Sequence, residues 1–143
     1  MKVVKKNALV PYSAHMMYEL IKDVERYPEF LPWCGGARIV EKLTDGVVGS
    51  VDISKGNLHK TFTTRNIFTQ DQKISMDLVD GPFSQLHGAW LFDAIGDQGC
   101  RVSLDLEFDF NSTLASMTIG PVFSLITDKL LDAFVEEADR MYG

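Results

Sequence analysis

Catalytic and metal-binding equipment is what this sequence lacks most plainly. Its 143 residues hold three histidines and two cysteines. No two histidines stand at metal-ligand spacing, and there is no HExxH, no GxSxG elbow and no glycine-rich phosphate loop. Positive charge is also short. Fourteen basic against 20 acidic residues give a formal charge of −6, the wrong sign for displacing counterions along a nucleic acid, so DNA is excluded as a partner. Cys34 and Cys100 lie far apart without CxxC spacing. They read as small buried apolar residues in a reducing compartment, with packing favoured over reactivity for Cys34 behind Trp33. No apolar run reaches the ~18 residues of a membrane span, which leaves at most transient membrane contact. The N-terminal MKVVKKNALVPYS has charge but no apolar stretch of signal-peptide type. Repeats and low-complexity segments are missing too. The expectation is a single cytoplasmic domain over residues 1–143.

Present instead is a chain of two periodicities. Lys2–Val10 reads as an edge strand that Pro11 ends, and Ser13 is placed to cap a helix in which Met17, Leu20, Ile21 and Val24 share one face. That helix must stop before Tyr27-Pro28, and Pro28 can open a second short turn over Pro28–Leu31. The segment 24-VERYPEFLPWCGG-36 is unusual: its two prolines forbid a regular helix, and its three aromatics are too costly to leave in water. From Gly36 onward the period is 2. Turn signals at Thr44-Asp45-Gly46, Gly56-Asn57 and Asp80-Gly81-Pro82 separate alternating strands. In the last strand Val102, Leu104, Leu106, Phe108 and Phe110 point one way, while Arg101, Ser103, Asp105, Glu107 and Asp109 point the other. That is a sheet buried on one face, and the three carboxylates read as its solvated side. The tail supplies the cover. Phe123, Ile126, Leu130, Phe134, Ala138 and Met141 recur at helical steps. A helix from about Ser112 to Tyr142 would run roughly 45 Å, kinked at Gly120-Pro121, with Asn111-Ser112-Thr113 as its cap rather than a glycan site. The fold class expected is α+β: a curved antiparallel sheet of about seven strands wrapped around one long C-terminal helix, with two short helices after the first strand.

The candidate site follows from the inward faces. Trp33, Phe62, Trp90, Phe92, Phe108 and Phe123 would line the space between sheet and helix, joined by Phe30 as a second plug from the aromatic segment. Leu86, Leu106, Ile126 and Leu130 complete an apolar lining. Lys60, Thr64 and Asn66 share parity with Phe62, so they either meet a ligand inside or escape to solvent where the strand bends or ends. His15, His59 and His87 fall on polar sides of their elements and read as surface residues. No acid–base pair emerges, so the expectation is a binder rather than an enzyme.

The stretches 11-PYSAHMMYELIKDVERYPEFLPWC-34, 61-TFTTRN-66, 78-LVDGPF-83 and 120-GPVFSLITDKLLDAF-134 together resemble the coenzyme Q-binding protein and ribosome-association toxin family, within the polyketide-cyclase/START-like superfamily. The resemblance runs over nearly the whole chain and implies the helix-grip fold. It also implies two functions. One is a non-enzymatic carrier of ubiquinone or a similar isoprenoid lipid supporting respiration, with no cofactor required and the quinone as bound ligand. The other is a toxin that binds the large ribosomal subunit and blocks subunit joining, through a surface such as the N-terminal lysines. The inward aromatics put the carrier first. Whether residues 24–34 form a fixed cap or a gate stays open at the level of sequence.

Overall fold

The computed structural model of the protein covers Met1–Gly143. Strand β1 (Lys2–Val10) leads into helix α1 (Ala14–Lys22), a 3₁₀ turn (Val24–Arg26) and helix α2 (Tyr27–Phe30). Six strands follow: β2 (Cys34–Lys42), β3 (Gly46–Lys55), β4 (Leu58–Thr69), β5 (Lys73–Asp80), β6 (Phe83–Ile95) and β7 (Gly99–Phe110). Helices α3 (Thr113–Thr118) and α4 (Gly120–Tyr142) close the chain. All seven strands form one antiparallel sheet in the order β1-β7-β6-β5-β4-β3-β2. The expected α+β helix-grip architecture is therefore the one observed.

Local chemistry explains the boundaries. Ser13 caps α1 by accepting the Met16 N–H at 3.1 Å, and Ser112 caps α3 by accepting the Ala115 N–H at 3.0 Å. The second short helix begins one residue earlier than the Pro28 rule suggests, with Pro28 seated in its first turn, where its missing N–H costs nothing. The single long tail helix is corrected to two. Pro121 has no N–H to extend a helix backward, and Thr118 folds its hydroxyl onto the Leu114 carbonyl at 2.9 Å. The chain therefore breaks at Ile119, and α4 alone is the gripped element.

The core lies between the concave sheet face and α4. Val102, Leu104 and Phe108 of β7 are buried as their alternation requires, facing Phe123, Leu131 and Phe134 of α4. Helix α1 seals one end with Met17, Leu20 and Ile21. Tyr12 donates to the Asp139 carboxylate, and Tyr142 donates to the Met16 carbonyl at 3.4 Å, so the end of α4 is tied to the start of the chain. Cys34 and Cys100 are both buried and unbridged, and burial pushes both thiols up, Cys100 to about 11. They pack, as expected. His15, His59 and His87 are exposed, the first bonded to Asp71 at 2.8 Å and the last to Glu107 at 3.0 Å.

Candidate functional site

Between sheet and helix lies an inner cavity of about 90 Å³. Each wall owes its place to a periodicity. Strands β3 to β7 contribute every second residue: Val51, Phe62, Thr64, Asn66, Met76, Leu86, Trp90, Leu104 and Leu106. Helix α4 contributes the stripe Phe123, Ile126, Thr127, Leu130 and Phe134, and the crossing segment closes the cavity with Val24, Tyr27 and Trp33.

Ten of the fourteen residues expected from the strand alternation, the helical stripe and the aromatic segment border this cavity: Trp33, Phe62, Thr64, Asn66, Leu86, Trp90, Leu106, Phe123, Ile126 and Leu130. Four do not. Lys60 is exposed, because β4 outruns β5, whose last partner is Thr63, so the inward face of that stretch opens to water. Phe92 is buried but packs edge-on against Tyr18 at 5.8 Å. Phe108 is buried behind Phe123, their centroids 4.8 Å apart. Phe30 lies on the far side of the crossing segment, edge-on to Phe134 at 5.5 Å. Alternation identifies a face; it does not say which residue on that face borders a void.

Sequence reasoning missed eight lining residues, among them Val51, Met76 and Leu104 of the sheet and, most consequentially, Tyr27, Thr127 and Phe134. Phe134 was legible, being in the helical stripe, and is the hub where Tyr27, Phe30 and Trp90 converge at 5.3, 5.5 and 5.3 Å. Thr127 was signalled as a polar residue on an apolar stripe. Its hydroxyl is spent on its own helix, donating to the Phe123 and Ser124 carbonyls at 3.1 and 3.2 Å. Tyr27 likewise donates to the Ile21 carbonyl, and burial pushes its phenol well above the usual range. The polar group with capacity to spare is Asn66. Thr64 Oγ1 donates to Asn66 Oδ1 at 2.8 Å, leaving the Asn66 amide N–H groups without a protein acceptor, beside the space over Gly49. The cavity is thus mostly hydrocarbon with the Asn66 amide donors set among it, the pattern of a site that orients an apolar molecule by a few polar groups.

On the other side of the crossing segment is an outer groove of about 740 Å³. Its floor is Phe30, Trp33, Leu125, Ile126 and Ala133; Lys55 of the β3–β4 hairpin and Lys129, Asp132 and Glu136 of α4 form its rim. Glu137 anchors one end. It is buried, accepts from Arg140 Nε at 2.7 Å and from Arg26 at 3.0 Å, and the Arg140 hydrogen bond, followed by that from Arg26, holds its carboxyl below the usual range against burial.

The N-terminal lysines do not make a shared basic face. Lys6 is paired with Asp128 of α4 at 2.9 Å, whereas Lys5 stands opposite Asp105 of β7. Period 2 sends neighbouring lysines to opposite sides of the strand. No helix is long and apolar enough to cross a membrane.

Comparison with known proteins agrees with this architecture. Residues 10–135 match the family described as polyketide cyclase / dehydrase and lipid transport. The chain is 44% identical over 143 residues to the ribosome association toxin RatA of Vibrio cholerae, spanning all of this chain and 99% of that one. It is 26% identical to the mitochondrial coenzyme Q-binding protein COQ10 of Drosophila melanogaster, spanning 96% of this chain and 59% of that one. Among solved structures, the Zhui aromatase/cyclase of Streptomyces sp. R1128 superposes with a TM-score of 0.85 at 17% identity, covering 97% of this chain and 94% of that one, which is a likeness of fold. On matches of this extent the chain belongs to the polyketide cyclase/dehydrase and lipid-transport family, alongside the ribosome association toxins.

Proposed function

We propose that the protein associates with the large ribosomal subunit and blocks its joining with the small one, regulating translation by binding alone. The observation that carries this reading is end-to-end similarity: 44% identity to a ribosome association toxin across essentially both chains, against 26% to a coenzyme Q-binding protein of which just over half is spanned. This reverses the order in which composition and inward aromatics rank the two functions. The reading places the protein in the cytoplasm. The decisive experiment mixes purified protein with dissociated subunits, restores magnesium and resolves the mixture on a sucrose gradient. The protein is expected with the large subunit while the joined particle diminishes. Protein left at the top of the gradient beside a full peak of joined ribosomes refutes the reading.

A second reading, binding of an apolar ligand of the ubiquinone type, is favoured by the inner cavity and the free amide donors of Asn66. Nothing in that cavity supports acid–base chemistry. Its phenol is held protonated and its hydroxyls and amide do not titrate, so we read the interior as a binding site and not a catalytic one. Mass spectrometry of the organic extract from natively purified protein tests it. A stoichiometric isoprenoid quinone is expected, and a clean extract from quinone-producing cells overturns this second reading.

A further inference from the structure

The inner cavity and the outer groove share two lining residues, Trp33 and Ile126. One is fixed on the helix. The other is unusual among the aromatic residues of this chain. Every tyrosine, phenylalanine and tryptophan except Trp33 has an aromatic partner with centroids within 6.3 Å. Trp33 is half-buried at the edge of the core, and its indole N–H is not among any buried unpaired groups, so it opens onto accessible space rather than being locked by a protein acceptor. Its backbone, by contrast, is pinned. The Trp33 carbonyl accepts the Ser54 N–H at 2.7 Å, the Cys34 N–H donates to Leu31 at 3.0 Å, and Leu31 and Cys34 are both buried. Between two anchored neighbours, the side chain is what can move.

Size gives that movement a purpose. Ligand pockets typically occupy about 300–1,000 Å³; the inner cavity at about 90 Å³ falls short of this and the outer groove at about 740 Å³ does not. The inner chamber holds the free amide donors of Asn66, whereas the groove offers an apolar floor with the lysine stems of Lys55 and Lys129 along its edge.

We propose that the two spaces are halves of one binding site for an elongated amphiphile, divided by the Trp33 indole acting as a swinging gate. A carbonyl-bearing ring enters the inner chamber and accepts from the Asn66 amide. Its hydrocarbon tail leaves past Trp33 and lies on Phe30, Leu125, Ile126 and Ala133, with the displaced indole packed against it. This deepens the ligand-binding reading and rests on it, and it makes the crossing segment a fixed cap with one movable side chain.

Trp90 lines the inner chamber and is the remaining tryptophan in the Trp33 variants, so with Trp33→Phe as the gated reference background its fluorescence, quenched by a bound quinone, reports arrival of the ring. The probes are decyl-dimethoxybenzoquinone and the same ring without its tail. Trp33→Ala is expected to raise the association rate for the tailed probe by roughly tenfold or more, because a gate open in a minor population limits entry by that fraction. Trp33→Phe, which keeps a plug, should retain the slow rate. Ala133→Phe, at a half-exposed groove position that leaves folding intact, should weaken the tailed probe and leave the tailless one unaffected. If the Trp33→Phe protein is quenched but neither Trp33→Ala nor Ala133→Phe in that background changes the tailed probe's behaviour, the ligand enters elsewhere; the gate is refuted and the binder reading stands. If neither probe quenches Trp90 in any variant, the binder reading falls and the gate with it.

Discussion

Phe134→Ala is the sharpest perturbation the structure offers. Phe134 has no exposed surface and meets Tyr27, Phe30 and Trp90 edge-on within 5.5 Å, so one ring joins the crossing segment, the sheet and α4. Transfer of a fully buried phenylalanine is worth about 1.5–3 kcal/mol. Edge contacts between rings add roughly 0.5–1.5 kcal/mol each, and the three here share one ring and do not sum in full. The loss expected is therefore about 4 kcal/mol, within the ~3–5 kcal/mol typical of Phe→Ala in cores. Against a total of about 5–15 kcal/mol that is a large fraction, and at ~2–4 °C per kcal/mol it lowers the melting temperature by about 8–16 °C. Urea denaturation followed by circular dichroism measures it, with the slope unchanged if the transition stays two-state. The enlarged cavity should also bind an apolar dye that wild-type protein takes up poorly. A loss below about 2 kcal/mol would mean that the three rings collapse into the gap, and that the hub is pliable rather than close-packed.

Three further outcomes follow from particular contacts. Glu137→Gln keeps the shape but removes the anion of Arg140 and leaves Arg26 only the looser pairing with Glu29 at 3.7 Å, and should cost about 1–3 kcal/mol at neutral pH. Because the folded carboxyl is held low, first by Arg140 and then by Arg26, its contribution is complete above the unfolded value near ~4.3. It is lost as pH falls through the folded value, so wild type and variant should converge in acid denaturation curves; a gap that persists at low pH would contradict the ion-pair account. Lys60→Ala should change stability by no more than about 0.5 kcal/mol and leave quinone quenching of Trp90 unaltered, since the side chain stands in solvent. Gly88→Ala should cost about 1–3 kcal/mol by thermal melt, because a Cβ there would lie 2.1 Å from the Asp105 carbonyl oxygen and 2.8 Å from Leu106 Cα; a wild-type melting temperature would show that β6 and β7 can spread.

How far the sequence reveals this fold depends on the kind of regularity involved. The alternation of Val102 to Phe108 and the stripe from Phe123 to Ala138 each arise from one backbone geometry, so they are readable in isolation, and together they dictate a sheet closed by a helix. The break at Ile119 is subtler, since it needs Pro121 and the Thr118 hydroxyl acting on the same turn. The site is legible only to the level of a face. Phe108 and Leu106 share parity, yet Phe108 is covered by Phe123 and Leu106 borders the cavity. Lys60 shares parity with Thr64, yet the neighbouring strand ends between them. Depth is set by where other elements stop, which no single periodicity encodes. The role of Trp33 is further removed still, because it consists in contacts that one ring does not make.

The interior and the surface are separable, and that decides how the two functional readings relate. Thr64 and Asn66 sit on the inward face of β4, while Thr63 and Arg65 occupy the opposite face. A Thr64→Val/Asn66→Leu double variant replaces the cavity's polar pair by side chains of similar shape and leaves the outward residues Thr63 and Arg65 unchanged. Removing both partners of a hydrogen bond together is near neutral for stability, so the variant should fold. It is expected to lose affinity for the quinone probe and to retain co-sedimentation with large subunits, because ribosome association is then a property of the outer surface alone. Co-sedimentation lost together with quinone binding, in a protein of unchanged melting temperature, would reverse that conclusion. Occupancy of the interior would then set the conformation that meets the ribosome, and Trp33 and Ile126 of α4 would carry the signal, since these two residues line both the inner chamber and the outer groove.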